Sequence, residues 1–153
     1  MSSKIVSAFA VAALTVAGVT TAGHVQAGDL AKGAHHTITM ADTTCAVGKE
    51  CVITISLNAL AGYHINKDYP AKLKADEVAG VEFMGTDAGG KNVFSKAVGD
   101  YKVDSERLGT LKIKVKVAKA GAVSITGNFK FCVCSDKECV PDSAQLKIPV
   151  TAK

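Results

Sequence analysis

The sequence has 153 residues, with 18 Lys or Arg, 14 Asp or Glu and no Trp. The formal net charge of +4 is too small to indicate a nucleic-acid-binding surface, and no Trp is present to stack on bases. The chain is long enough to form a single domain with one core.

The N-terminus predicts a cleaved secretory signal peptide over residues 1–27. Lys4 is followed by an apolar run from Ile5 to Val19, and Val25-Gln26-Ala27 supplies a small-x-Ala cleavage site. The apolar run is about 15 residues, short of the roughly 20 that span a bilayer, which favours cleavage over a membrane anchor. We therefore expect a mature domain at 28–153, periplasmic or secreted, without a membrane span.

After this leader, apolar and polar residues alternate in segments at 36–40, 51–57, 111–117, 123–133 and 145–150. Alternation with period two predicts half-buried antiparallel strands. Turn signals such as Val47-Gly48-Lys49 and Lys119-Ala120-Gly121 separate the segments. Seven to nine short strands with such turns predict an all-β fold, an immunoglobulin-like antiparallel sandwich of two sheets.

The first two of the five cysteines, Cys45 and Cys51, bracket a turn between two predicted strands. A bridge between them would close a loop of about seven residues and stabilise the fold by roughly 2 kcal/mol. Export permits disulfides, and no neighbouring residue indicates an activated thiolate. We predict a structural disulfide here, the alternative being a second redox pair.

The other three cysteines lie close together in the segment FKFCVCSDKECVP, residues 129–141. Phe129 and Phe131 continue the buried face of the strand, so strand parity places Cys132 and Cys134 on the opposite face. We expect that opposite face to point toward solvent or a partner.

The tetrapeptide Ser135-Asp136-Lys137-Glu138 predicts a tight turn after Cys134. Cys139 follows the turn, and Pro141 is expected to end the hairpin. The natural disulfide pair is therefore Cys134 with Cys139, and Cys132 is the spare cysteine.

The residues alone leave three interpretations of this cluster open: a hairpin staple, a metal site, or a pair that cycles between dithiol and disulfide. The Cys-x-Cys-x4-Cys spacing is not a standard zinc pattern, and an oxidising compartment removes thiolates. We therefore predict no metal and no cofactor, although a fourth ligand could come from His35, His36 or His64.

Two stretches carry a family resemblance. The segment GYHINKDYP, residues 62–70, and the hairpin from Cys134 through Cys139 to Pro141 resemble the N-terminal periplasmic domain of the thiol:disulfide interchange protein DsbD and related stand-alone domains. The resemblance covers residues 34–152 and implies an immunoglobulin-like sandwich. That family has five residues between the two cysteines, whereas this chain has four and carries Cys132 in addition.

The resemblance also implies a function and partners. Cys134 and Cys139 would be a redox pair that takes electrons from a separate membrane reductase and passes them to periplasmic thiol or disulfide proteins. The sequence does not fix which of the two attacks; we expect Cys139 to attack and Cys134 to resolve. The domain would then be a component of a protein-disulfide reductase system.

Tyr63, His64 and Tyr69 are candidate accessory residues, as is Cys132. The three ring side chains and Asn66 could line the cysteine site or dock a partner, the alternative being a structural role under a loop. The leading hypothesis for the whole chain is thiol–disulfide exchange. The alternative is a non-catalytic immunoglobulin-like binding module whose disulfides are purely structural.

Overall fold

The computed structural model describes residues 28–153, so the predicted signal peptide at 1–27 lies outside the described residues. In the described part of the chain, no helix is long and apolar enough to cross a membrane. The strands found there are β1 (Gly28–Lys32), β2 (His36–Met40), β3 (Thr44–Cys45), β4 (Glu50–Ala59), β5 (His64–Ile65), β6 (Lys72–Ala75), β7 (Val81–Phe83), β8 (Val93–Ser95), β9 (Tyr101–Val103), β10 (Leu108–Val117), β11 (Gly121–Cys134) and β12 (Cys139–Ala152).

The strands form two sheets. The first has the order β1-β2-β4-β10-β7, with β9 also paired to β10; the second has the order β3-β12-β11-β6-β8, with β5 also paired to β11. The set β2-β4-β10-β7 and the set β12-β11-β6 reproduce the A-B-E-D and G-F-C order of a constant-type immunoglobulin domain. The prediction of an all-β, immunoglobulin-like sandwich of two sheets is confirmed.

The number and length of the strands differ from the prediction. Residues 28–153 form twelve strands rather than seven to nine, and the five beyond the immunoglobulin set are only two to five residues long. Such short segments show too little alternation to be recognised in a sequence. The pairing of β3 with β12 is parallel, while the other strand pairs are antiparallel.

The core lies between the sheets and follows the period-two pattern. Ile53 and Ile113 face each other in register on β4 and β10, and both are fully buried. The alternate positions of β10 carry Lys112 and Lys116 outward, and Lys116 lies 3.6 Å from a carboxylate oxygen of Glu82 on β7. Burial of one face and solvation of the other is the arrangement that the alternation predicts.

The longest element is the hairpin of β11 and β12, which pairs residue by residue from Gly121–Ala152 at one end to Cys134–Cys139 at the other. At about 3.3 Å per residue its ends are roughly 40 Å apart. Cys45 on β3 pairs with Ala152, so the N-terminal cysteines lie at the opposite end of this hairpin from the C-terminal cysteines.

Candidate functional site

The turn of the long hairpin brings Cys134 and Cys139 face to face. The Ser135 N–H donates to the Glu138 carbonyl at 2.7 Å, while the Ser135 hydroxyl accepts from the N–H groups of Lys137 and Glu138 at 3.2 Å each. The next pair along the ladder is a non-hydrogen-bonded one, where opposed Cα atoms come closest. Cys134 and Cys139 occupy it, with a Cα–Cα distance of 3.9 Å, and are joined by a disulfide that we call the hairpin pair.

Pro141 does not end the hairpin, as the sequence suggested, but lies inside β12 opposite Cys132. This position is again a non-hydrogen-bonded one, so β11 does not need the N–H that proline lacks. The strand therefore continues through the proline.

The expectation that Cys132 and Cys134 point toward solvent is wrong. They are only 2% and 3% exposed. Strand parity did place them on the outer face of β11, but residues 63–69, which we call the cover loop, fold over that face. Within the cover loop, β5 pairs with the end of β11, and the Asn66 N–H donates to the Cys132 carbonyl at 3.0 Å.

Backbone contacts hold the cover loop at both sides. Gly62 has a φ of 82°, which L-residues seldom adopt, and the turn it makes lets the Tyr63 N–H donate to the Leu60 carbonyl at 3.0 Å. The Ile65 N–H donates to the carbonyl of Glu106, in the turn between β9 and β10, at 2.7 Å. The cover loop is therefore tied to both sheets.

The side chain of Asn66 connects the cover loop to the sulfur atoms. Its Oδ1 accepts from the N–H groups of Asp68 at 2.8 Å and Tyr69 at 3.1 Å. Because the oxygen is engaged, the amide nitrogen Nδ2 faces the cysteines, 3.9 Å from Sγ of Cys132 and 3.7 Å from Sγ of Cys139. An N–H donor in this place would stabilise a thiolate on either sulfur.

Sequence reasoning named Asn66 among the residues that could line the cysteine site, but it predicted no contact between its side chain and the sulfurs. The run Asn66-Lys67-Asp68 is typical of a turn in which an Asn side chain accepts from the backbone two residues later. That signal identifies the turn, but it does not reveal that the other end of the amide faces two cysteines 66 and 73 positions away.

An open cavity of about 440 Å³ lies beside the hairpin pair, lined by residues 64–68, Glu106, Cys134 and Cys139. Cys139 is exposed and Cys134 is buried, so the disulfide presents one sulfur-bearing residue outward and one inward. The charged lining residues are Lys67, Asp68 and Glu106, all exposed.

Cys132 is a free, buried cysteine beneath this cavity. Burial raises the pKa of its thiol above the ordinary value, and the hydrogen bond from Asn66 acts in the opposite sense. The thiol itself lies 3.9 Å from the carbonyl oxygen of Val133. Burial therefore disfavours the thiolate form of Cys132.

Of the three candidate accessory rings, His64 lies nearest the hairpin pair. Its backbone pairs with Cys134 and its side chain lines the cavity. Tyr63 instead stacks on His35 with ring centroids 4.2 Å apart, and Tyr69 packs against the core. Their role at the site stays a prediction.

The three sulfurs of Cys132, Cys134 and Cys139 lie within 4.8 Å of one another. With Cys134 and Cys139 joined, only the thiol of Cys132 could bind a metal, so the cluster in this state consists of one disulfide and one thiol. His36 lies elsewhere, buried edge-on against Phe131 at 4.6 Å between ring centroids.

Cys45 and Cys51 form the second disulfide, which we call the sheet-bridging pair because it joins β3 of one sheet to β4 of the other. The two residues are 1% and 8% exposed. The Lys153 N–H donates to the Cys45 carbonyl at 2.9 Å, and the Gly48 N–H in the enclosed turn donates to Val117 at 2.8 Å. Both pairings are those expected from the sequence, and their roles stay predictions.

Neither a protein-family model nor a curated protein matches this sequence. Among solved structures, the chain is similar to AggA, the major subunit of aggregative adherence fimbriae type I from Escherichia coli, with 11% identity, a TM-score of 0.37, and coverage of 77% of this chain and 94% of that chain. It is also similar to the ASH/PapD-like domain 7 of human CEP192, with 10% identity, a TM-score of 0.31, and coverage of 93% and 98%. At these identities and TM-scores neither protein assigns a family to this chain, and the order of its strands is what identifies the immunoglobulin-like fold.

Proposed function

We propose that this chain is an exported thiol–disulfide exchange domain that passes electrons between protein partners through Cys134 and Cys139. The observation that carries the proposal is the position of the hairpin pair, which borders an open cavity with Cys139 exposed and an amide donor 3.7 Å from its sulfur. The resemblance to the DsbD N-terminal domain supports the same assignment.

The positions of the two cysteines support different roles for them. Exchange needs a sulfur that a partner can reach and a second sulfur that the partner cannot displace. Cys139 is exposed and is the attacking residue, while Cys134 is 3% exposed and is the resolving residue. The N–H donor of Asn66 favours the thiolate form of Cys139 when the pair is reduced.

The reaction proceeds in two displacements. The Cys139 thiolate attacks one sulfur of a partner disulfide, which forms a mixed disulfide and releases the other partner sulfur as a thiolate. The Cys134 thiolate then attacks Sγ of Cys139, which restores the hairpin pair and releases the partner in its reduced form. Two electrons pass from the domain to the partner, and a dithiol protein must reduce the hairpin pair again.

The setting for this chemistry is the periplasm or the cell exterior. Two disulfides in a domain of this size fit an oxidising compartment, where partner disulfides also occur. The dithiol donor is a separate membrane reductase, and the acceptors are exported proteins with disulfides.

A redox titration of the mature domain in glutathione buffers tests the proposal. Each cysteine is alkylated after equilibration and the reduced fraction of each pair is read by mass. The hairpin pair should be reduced at a potential above about −300 mV, and the sheet-bridging pair should stay oxidised under the same conditions. If the two pairs resist reduction equally, the domain is an immunoglobulin-like binding module with structural disulfides.

A further inference from the structure

The proposed function uses two of the three clustered cysteines and leaves Cys132 without a role. A free cysteine in a β core is often a small apolar residue and nothing more. Here, however, its sulfur lies within 4.8 Å of both sulfurs of the hairpin pair. At that distance the thiol can exchange with the neighbouring disulfide.

We propose that Cys132 is a second resolving cysteine, which attacks Sγ of Cys139 in the mixed disulfide and releases the partner without Cys134. This inference rests on the proposed function and deepens it. In this scheme one exposed sulfur attacks the partner, and either of two buried sulfurs can complete the reaction.

Strand geometry makes the attack feasible. Cys132 and Cys134 are two positions apart on β11 and so lie on the same face, beneath the cover loop and facing the start of β12. Cys139 lies opposite Cys134 and diagonal to Cys132. Diagonal side chains on a β ladder are within reach of each other, and the sulfur separations within 4.8 Å agree.

Asn66 links the two sulfurs that this step joins. Its amide nitrogen lies 3.9 Å from Sγ of Cys132 and 3.7 Å from Sγ of Cys139. The backbone N–H groups of Asp68 and Tyr69 hold the amide in this orientation through Oδ1. One donor group can therefore stabilise the attacking thiolate on Cys132 and hold Cys139 beside it.

The step is balanced without a further reagent. Cys132 loses its proton to solvent, and its thiolate forms a bond to Sγ of Cys139 while the bond from Cys139 to the partner sulfur breaks. The partner leaves as a thiolate and takes up a proton. Cys134 can then attack Cys139 in the new Cys132–Cys139 bond, which restores the hairpin pair and returns Cys132 to a thiol.

Burial suits Cys132 to this internal role. At 2% exposure the sulfur of Cys132 is closed to external disulfides, so it can react only with a disulfide that Cys139 already forms. This also explains how a free cysteine is compatible with a compartment in which exposed thiols are oxidised.

The test uses the mature domain with the sheet-bridging pair intact and glutathione disulfide as the probe. Three reduced variants are mixed with the probe: Cys134→Ser, Cys132→Ser and the Cys132→Ser/Cys134→Ser double variant. Samples are quenched with acid at intervals, and the mass of the protein is measured. The double variant should hold the glutathione adduct on Cys139. Cys134→Ser should release the adduct about tenfold faster or more, with a Cys132–Cys139 bond as the product.

A Cys134→Ser adduct as long-lived as that of the double variant would overturn the role of Cys132. Failure of the proposed function looks different, because then the hairpin pair of the unsubstituted domain resists reduction as strongly as the sheet-bridging pair in the redox titration. Circular dichroism checks that each variant is folded.

The unsubstituted chain gives an independent measurement in case Cys134→Ser does not fold. The oxidised domain is incubated at increasing pH, quenched, alkylated and cleaved with trypsin after Lys130 and Lys137. Fragmentation across Val133 shows whether the free thiol is on Cys132 or Cys134. A growing share on Cys134 with rising pH supports exchange, and none at any pH contradicts it.

Discussion

The two disulfides lie at opposite ends of the same long hairpin and differ in their surroundings rather than in their spacing. The sheet-bridging pair closes a sequence separation of 6 and the hairpin pair one of 5, so the chain-entropy argument gives each about 2 kcal/mol. The first pair is buried between two sheets, whereas the second borders an open cavity beside a free thiol and an amide donor. Loop length thus does not distinguish the two disulfides, whereas the residues around each disulfide do.

The largest expected contrast is in exchange activity. Cys139→Ser removes the exposed sulfur, so the domain should lose measurable reaction with glutathione disulfide. The Cys45→Ala/Cys51→Ala double variant leaves that sulfur in place and should react at the rate of the parent. Both rates are measured by mass after acid quenching. Equal rates for the two variants would show that the two disulfides do not differ in exchange activity.

The next contrast is in stability. A disulfide that is reduced about as easily in the folded domain as in the unfolded chain adds little to the free energy of unfolding, because reduction and unfolding are linked in one thermodynamic cycle. Cys45→Ala/Cys51→Ala should therefore lower the free energy of unfolding by about 2 kcal/mol. Cys134→Ala/Cys139→Ala should lower it by less.

Urea unfolding of the two double variants beside the parent measures both effects. A loss at the hairpin pair that equals or exceeds the loss at the sheet-bridging pair would identify the hairpin pair as a staple. Unchanged slopes of the free energy with urea would show that the unfolded states are comparable.

A smaller effect should come from Asn66. Asn66→Asp keeps the oxygen that accepts from Asp68 and Tyr69 but replaces the N–H donor with a carboxylate oxygen near Sγ of Cys139. The Cys139 thiolate then loses a hydrogen bond and gains a negative neighbour, so the exchange rate at neutral pH should fall roughly tenfold.

The matched control is Asn128→Asp, which makes the same change on the outer face of β11. Among the described residues, the side chain of Asn128 makes no hydrogen bond to either sulfur. Rates of glutathione adduct formation across a range of pH show whether Asn66→Asp and Asn128→Asp differ in their effect on the Cys139 thiolate. An Asn66→Asp profile that superimposes on that of Asn128→Asp would show that the amide has no effect on the thiolate.

Local sequence patterns predicted the strand positions and the disulfide pairing of the site, whereas its burial depends on long-range contacts. Alternation places Cys132 and Cys134 on one face of β11, and the tetrapeptide 135–138 predicts the turn that pairs Cys134 with Cys139. What no local pattern contains is the cover loop, because its docking depends on contacts such as that of Ile65 with Glu106, 41 positions away. The burial of Cys132 and the orientation of Asn66 both follow from that docking.

We expect His36 to make the hairpin end of the molecule sensitive to pH. His36 is 2% exposed, packs edge-on against Phe131 and has its Nδ1 3.5 Å from a carboxylate oxygen of Asp142. Desolvation lowers the pKa of His36 below its ordinary 6.5, the carboxylate of Asp142 opposes this shift, and the neighbouring His35 adds to it.

A lowered pKa in the folded state means that the unfolded chain binds the proton more tightly. The free energy of unfolding should therefore fall as the pH drops below about 6.5, by at most about 1.4 kcal/mol per pH unit, and level off below the folded-state pKa. His36→Gln should abolish this part of the slope, and His64→Gln, which leaves His36 in place, should retain it. Urea unfolding between pH 7.5 and 4.5 measures the slopes, and a slope that survives in His36→Gln would assign the pH dependence to other groups.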